Sequence, residues 1–226
     1  MTFRDIHVTL DDGSVLHAQV HDGDSVPLVL LHDLDCSLAY WEPMIERLLA
    51  RDPGLTIVNV DMRGHGGSTC AGETSRKRLV KDLRKFTKAL SLEDVVLCGH
   101  GWGADVALAA DCASSVIAIN PLFGREADAF PADAPRGAAL AGAVSGDVLE
   151  SCRVGVAQAK RLRRSRRDAP LLLITADPLD HDADAYPEIA EAAVEAYAWQ
   201  DGSRHLPWEA PAGIAALVCT WIEEVA

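Results

Sequence analysis

Hydrophobic positions along the chain follow two different periods, and the change of period separates predicted strands from predicted helices. Segments 6–10 and 15–20 place apolar residues at alternate positions and flank the turn-forming stretch Asp-Asp-Gly-Ser. Such alternation on both sides of a turn predicts an antiparallel β-hairpin. Segment 26–31 is almost continuously apolar, which predicts a strand that is covered on both faces.

Beyond residue 40, short apolar segments alternate with amphipathic ones. In 75–92, for example, Leu79, Leu83, Phe86 and Leu90 recur at helical spacing. The predicted helices are 41–50, 75–92, 102–110 and 213–225, and the further predicted strands are 55–60, 95–98, 115–119, 171–175 and 194–199. Repeated strand–helix units after a hairpin predict an α/β fold, with a mostly parallel, twisted sheet of about eight strands and helices on both faces.

Segment 121–170 interrupts this alternation. It is rich in alanine, has prolines near its start and follows a helical pattern in its second half. We interpret it as a short helical lid, inserted into a single domain that spans residues 1–226, because a chain of this length suits one domain. So short a lid suits a small substrate.

Charge and composition exclude several classes of partner. Acidic residues outnumber basic ones by 34 to 21, for a net charge of −13. This charge repels phosphate groups, so neither nucleic acids nor anionic membranes are expected partners. The six cysteines lack metal-ligand spacing, and no segment reaches the roughly 18 apolar residues of a membrane span. We therefore expect a cytoplasmic protein that binds a small-molecule substrate or ligand, with no metal and no cofactor, in an oligomeric state that stays open.

The most informative motif is Gly-His-Gly-Trp-Gly at 99–103, between a predicted strand and a predicted helix. Glycines that flank the centre of a strand–turn–helix are typical of a nucleophile elbow, G-x-S-x-G. The chain here resembles the α/β-hydrolase family. Three further segments extend the resemblance over nearly the whole length: His-Asp at 32–33, a D-x-R-G-x-G-x-S loop at 61–68, and Gly-Ser-Arg-His at 202–205. The resemblance implies the α/β-hydrolase fold and cleavage of an ester or amide in a small acyl substrate.

The centre of the elbow departs from this pattern. Residue 101 is glycine, whereas acyl transfer through a covalent intermediate needs an oxygen or sulfur nucleophile. Loss of a triad nucleophile lowers turnover by about a million-fold. Gly101 should keep the turn, because glycine adopts the strained backbone of an elbow at almost no cost. We therefore expect a hydrolase that is inactive or that traps its substrate, whether Gly101 is native or the result of a deliberate substitution.

The resemblance also implies roles for other residues. His205 matches the catalytic histidine, and its acidic partner would be Asp180, with Asp177 as the alternative. The oxyanion hole would use the N–H of Trp102 and the backbone of Asp33, which lies where the family usually has glycine. The Asp33 carboxylate would repel an oxyanion unless it points away from the hole.

Three more residues are assigned to substrate binding, namely His32, Leu34 and His100. The two histidines have structural alternatives, since His32 can form hydrogen bonds within its own loop and His100 can pack beside the elbow. None of these histidines has the spacing of a metal site.

Two other functions stay open at this point. The chain could be a pseudo-hydrolase that binds a ligand or partner without catalysis, because a fold does not determine a function. It could also be an enzyme without a nucleophile, in which His205 and an aspartate remove a proton, as in a lyase or a cofactor-independent oxygenase.

Overall fold

A computed structural model of the chain describes residues 2–122, 169–177, 195–202 and 205–225. The strands are β1 Arg4–Thr9, β2 Val15–His21, β3 Leu28–Leu31, β4 Ile57–Val60, β5 Val96–His100, β6 Ser115–Ile119, β7 Leu171–Asp177 and β8 Glu195–Gln200. The helices are α1 Glu42–Arg51, α2 Arg76–Ala89, α3 Trp102–Ala109, α4 Leu206–Glu209 and α5 Pro211–Val225, and a 3₁₀ turn covers Leu38–Trp41.

The eight strands of the described residues form one sheet in the order β1-β2-β4-β3-β5-β6-β7-β8. β2 pairs antiparallel with both β1 and β4, and every other neighbouring pair is parallel. The predicted N-terminal hairpin and the mostly parallel sheet are therefore confirmed. Parallel strands need crossover connections, and the helical periodicity between them marks those connections.

Helices cover both faces of the sheet. On one face α2 and α3 bury Leu83, Phe86 and Trp102 against the strands. On the other face α1 and α5 bury residues such as Met44 and Trp221. The central strands β3 to β6 are buried at every position and consist mostly of apolar residues, because both of their faces lie in a core.

Several boundaries differ from the predicted ones. β5 continues through His100, which pairs with Ile119, so the bend after it is confined to Gly101. β7 continues to Asp177, which pairs with Gln200 rather than lying in the following loop. Parallel pairing with a neighbouring strand extends each strand beyond its apolar segment.

The lid prediction falls almost entirely outside the described residues, which include only 121, 122, 169 and 170 of segment 121–170. The lid and the single domain over residues 1–226 therefore stay predictions. Among the described residues, no helix combines the length and apolarity that crossing a bilayer requires.

The loop after β4 is fixed by a buried guanidinium. The Arg63 side chain is fully buried and forms ion pairs with Asp82 of α2 and with Asp12 of the β1–β2 turn. Arg63 Nη1 also donates a hydrogen bond to Ser14 Oγ at 2.5 Å. These contacts join the hairpin turn, the loop and α2, so the arginine of the D-x-R-G segment has a structural role.

Replacing Arg63 by alanine should therefore destabilise the fold strongly. Removing one partner of a buried ion pair costs about 3–5 kcal/mol when the other charge is left alone. Arg78 still pairs with Asp12 and Asp82, so the loss should lie at or below the lower end of that range. Urea denaturation of Arg63→Ala should show this loss. Arg84→Ala is the matched control on α2, because the ion pair of Arg84 with Asp111 is exposed and should contribute little. Equal losses in the two variants would contradict the role of Arg63.

Candidate active site

The bend between β5 and α3 is built on Gly101. Its backbone has φ 54° and ψ −117°, and its carbonyl accepts hydrogen bonds from Ala104 N at 3.1 Å and Asp105 N at 3.2 Å. A side chain at φ above zero costs roughly 1–3 kcal/mol, which glycine avoids. At Gly103, a Cβ atom would strike the carbonyl oxygen of Leu31, so this glycine allows α3 to approach β3 closely.

The carboxylate of Asp33 lies inside the expected oxyanion hole. Asp33 is fully buried, and its Oδ1 accepts hydrogen bonds from Leu34 N and Trp102 N, each at 2.8 Å. The N–H of Trp102 thus points at Asp33, and its role in an oxyanion hole stays a prediction. The second N–H belongs to Leu34, which was assigned to substrate binding, while Asp33 contributes its side chain as an acceptor. The outward-pointing conformation considered for Asp33 is not adopted.

The same carboxylate occupies the space of a side chain at residue 101. A Cβ atom built on Gly101 would overlap Cγ and both oxygens of Asp33, far inside the 3.0 Å that real Cβ atoms keep from their neighbours. Gly101 therefore makes room for the carboxylate. The two departures from the family pattern are complementary in space.

His32 has a structural role in the same loop. Met62 N donates to His32 Nε2 at 3.0 Å, so Nε2 carries no proton, and Nδ1–H donates to the carbonyl oxygen of Asp33 at 2.6 Å. Burial, reinforced by the nearby ring of His65, lowers the pKa of His32 to about 4. Both nitrogens of the neutral ring thus have backbone partners, which favours the structural alternative over a contact with substrate.

His205 lies in a cluster of aromatic rings beside the bend. It directly precedes α4, and its ring centroid is 6.1 Å from that of Tyr40 and 6.1 Å from that of His100. His100 stacks on Tyr40 at 4.9 Å, and Tyr40 also stacks with Trp208 at 6.4 Å. Because His100 immediately precedes Gly101, these contacts bring His205 to the carboxyl end of β5.

The acidic partner assigned to His205 falls outside this description. Asp180 is not among the described residues, and Asp177 is described only by its backbone at the end of β7. Both assignments stay predictions. Within the described ranges, no three His, Cys, Asp or Glu side chains cluster in a way that would hold a metal ion.

Tyr40 and Trp208 were missed by the sequence reasoning. Tyr40 belongs to the 3₁₀ turn that Ser37 caps, with Ala39 N donating to Ser37 Oγ at 3.3 Å. An aromatic residue in a helical segment usually signals a core position, and nothing in its spacing relates it to His205. Its place in the site arises only from packing.

A model of the alpha/beta hydrolase family matches residues 28–217, which is most of the chain. The chain belongs to this α/β-hydrolase family. The order of its site elements agrees with that membership, since the Asp33 loop follows β3, the Gly101 bend follows β5 and His205 follows β8.

Two curated relatives differ in the reaction that they are named for. A soluble epoxide hydrolase from Corynebacterium sp. (strain C12) is 32% identical over 102 residues, 45% of this chain and 34% of the relative. The sn-1-specific diacylglycerol lipase ABHD11 from Danio rerio is 33% identical over 86 residues, 38% of this chain and 27% of the relative. The matches thus cover between about a quarter and a third of the length of these relatives.

Solved structures of α/β-hydrolases share the fold over nearly the whole chain. E-2-(acetamidomethylene)succinate hydrolase superposes with a TM-score of 0.81 at 19% identity, covering 98% of this chain and 100% of that one. Similarity at this level of identity establishes the fold and not the reaction.

The complementarity of Gly101 and Asp33 predicts a large coupling between them. Gly101→Ala should destabilise this hydrolase-family chain by about 2–5 kcal/mol, through overpacking and through the positive φ. In the double variant Asp33→Gly/Gly101→Ala the overpacking disappears, so the loss should be smaller than the sum of the single losses by about 1–3 kcal/mol. A double-mutant cycle by urea denaturation measures this difference.

Gly13→Ala separates the two contributions to that loss. Gly13 has φ 84°, and a Cβ atom added there would meet no heavy atom within 4 Å, so this variant carries the backbone strain alone. It should be less destabilised than Gly101→Ala. Additive losses at residues 33 and 101, or equal losses in the two glycine variants, would contradict the packing described above.

Buried neutral His32 should also make the fold sensitive to acid. Between its usual pKa near 6.5 and about 4, the unfolded chain binds a proton that the folded chain does not. This contribution to stability is complete above pH 6.5 and is lost as pH falls toward 4, by at most about 1.4 kcal/mol per pH unit. His32→Asn should lower stability at pH 8 but flatten this decline in urea titrations. An unchanged slope would contradict the neutral state of His32.

Proposed function

We propose that this α/β-hydrolase is a small-molecule hydrolase that opens a bond at a saturated carbon, as in an epoxide, rather than the acyl bond of an ester or amide. The observation that carries this proposal is the carboxylate of Asp33 on the N–H groups of Leu34 and Trp102. Ester cleavage needs those two donors for the oxygen of the substrate. In this chain the two N–H groups donate to an oxygen of the protein instead.

The absence of a nucleophilic atom at residue 101 supports the same conclusion. An acyl-enzyme cannot form on Gly101, so the proposal keeps the expectation from the sequence that the chain is inactive in acyl transfer. Opening of an epoxide needs neither an acyl-enzyme nor a hole for the oxygen of a substrate carbonyl. The curated relatives include both an epoxide hydrolase and a lipase, so the choice between the two reactions depends on the geometry of the site.

His205 is the proposed general base. It is only half-buried, directly precedes α4 and lies beside Tyr40 and His100 at the bend. A histidine in such a place can take a proton from water, a contribution of about 10²–10⁴-fold in rate. Its acidic partner, Asp180 or Asp177, would fix the tautomer and stabilise the imidazolium.

Two substrate panels test the proposal on the full chain. The parent chain should hydrolyse small epoxides to diols. It should hydrolyse p-nitrophenyl acetate and butyrate no faster than the His205→Ala variant does. The same substitution should lower diol formation by about 10²–10⁴-fold. His7→Ala, on exposed β1, is the matched control and should keep the parent rate. Ester turnover that depends on His205, with no diol formed, would overturn the proposal.

A designed variant tests whether the pocket also suits an acyl substrate. Asp33→Gly/Gly101→Ser restores the serine of the family pattern and removes the carboxylate that would overlap it. This double variant should gain p-nitrophenyl acetate hydrolysis, whereas Gly101→Ser alone should not. Should the parent turn over neither substrate class while still binding small ligands, the pseudo-hydrolase interpretation would replace the proposed one.

A further inference from the structure

Gly101, at the centre of the elbow, has no side chain. The carboxylate of Asp33 fills the space that a side chain at this residue would take. Asp33 follows β3, Gly101 follows β5, and these parallel strands are direct neighbours in the sheet. A Cβ atom on Gly101 would lie only 2.2–2.3 Å from Cγ and both oxygens of Asp33. The reacting position is therefore occupied by a group that arrives from residue 33, in the loop after a different strand.

We propose that Asp33 is the nucleophile of this enzyme, transferred from the elbow to the loop after β3, and that it forms a covalent alkyl ester with the substrate. This inference rests on the proposed function, since it supplies the attacking atom for a reaction at a saturated carbon. Its substrates are uncharged alkyl electrophiles with a strained or leaving oxygen, of which a terminal epoxide is the simplest.

The hydrogen bonds of Asp33 define which oxygen attacks. Leu34 N–H and Trp102 N–H both point at Oδ1, and Trp102 is the first residue of α3. Two backbone donors and the positive end of a helix stabilise the ionised carboxylate. They also fix its orientation. In the proposed reaction Oδ1 stays on these donors and Oδ2 is the atom that attacks.

In the first step, an electron pair of Asp33 Oδ2 forms a bond to a ring carbon of the epoxide. The carbon–oxygen bond of the ring breaks, and its electron pair goes to the ring oxygen, which takes a proton from water. The product is an ester between Asp33 and a hydroxyalkyl group. Its carbonyl oxygen is Oδ1, which stays on the two N–H groups throughout.

In the second step, His205 takes a proton from water and the hydroxide adds to Cγ of Asp33. Negative charge develops on Oδ1, where the N–H groups of Leu34 and Trp102 already point. The bond from Cγ to Oδ2 then breaks, and Oδ2 leaves as a hydroxyl of the diol with the proton from His205. The new carboxyl group releases its proton to solvent, which restores the proton used in the first step.

This arrangement suits an alkyl substrate better than an acyl one. Attack of a carboxylate on an ester carbonyl would give an anhydride, and the oxyanion of that step would lie on the substrate. The two N–H groups are bonded to the oxygen of Asp33 instead. They stabilise the oxyanion only when the protein itself carries the ester.

Oxygen labelling in a single turnover tests the covalent step. The full chain, in excess over styrene oxide in H₂¹⁸O, should release a first diol without label, because the added oxygen comes from Asp33. The label should appear in the carboxylate of Asp33, located by fragment-ion mass spectrometry. A labelled first diol with an unlabelled Asp33 would overturn the inference, yet would leave the proposed function intact.

Variants supply an independent readout. His205→Ala should accumulate an adduct whose added mass equals that of styrene oxide. Adding Asp33→Asn, which keeps the shape and the Oδ1 acceptor, should abolish that adduct, whereas adding Asp35→Asn in the same loop should keep it. An adduct that persists with Asp33→Asn would overturn the inference. Absence of diol from the parent chain would overturn both this inference and the proposed function.

A relocated carboxylate gives the complementary test. Asp33→Gly/Gly101→Asp moves the carboxylate to the elbow while keeping it near the N–H groups of Leu34 and Trp102. This variant should form diol above the level of Asp33→Asn, with the label now in residue 101. No activity in a folded double variant, as judged by its thermal unfolding, would count against a carboxylate nucleophile at this position.

Discussion

Two backbone N–H groups on one carboxylate oxygen are the interaction on which the site depends. Leu34 N lies in the loop after β3, and Trp102 N begins α3 after β5, so Asp33 Oδ1 joins two neighbouring strand ends. A buried carboxylate is costly unless hydrogen bonds compensate it. The bond to Trp102 requires a close approach to the bend, and that approach in turn requires glycine at 101.

The remaining loops support this arrangement from the side of β4. His32 connects Met62 N with the carbonyl oxygen of Asp33. His65 Nε2 lies 2.6 Å from the carbonyl oxygen of Leu34, and the buried Arg63 anchors the same loop to α2. The segment 61–68 therefore supports the Asp33 loop through two contacts, from Met62 N to the ring of His32 and from the ring of His65 to the carbonyl oxygen of Leu34.

Periodicity predicted the fold because the burial that creates it is local. A buried strand is apolar at most positions, whereas a helix that covers a sheet is apolar at every third or fourth position. Segment 26–31 could therefore be recognised as a strand and segment 75–92 as a helix, each from its own sequence. The order of the site elements followed from motifs at 99–103 and 202–205. The ends of β5 and β7 could not be predicted from the sequence, because pairing with a neighbouring strand extends each of them beyond its apolar segment.

The direction of the Asp33 side chain could not be predicted from periodicity or motifs, because it depends on a contact with Trp102, which follows a different strand. Taken separately, Asp33 and Gly101 each weaken the case for a catalyst. Taken together they form a complementary pair, because the space vacated at one residue is filled by the other. The N–H groups that would hold the oxygen of an acyl substrate hold the oxygen of the protein instead. In the proposed reaction they therefore stabilise an oxyanion that forms on the ester of Asp33 rather than on the substrate. Glycine at the centre of the elbow thus removes the atom that acyl transfer needs, and the proposed reaction takes its nucleophile from the carboxylate that fills this space.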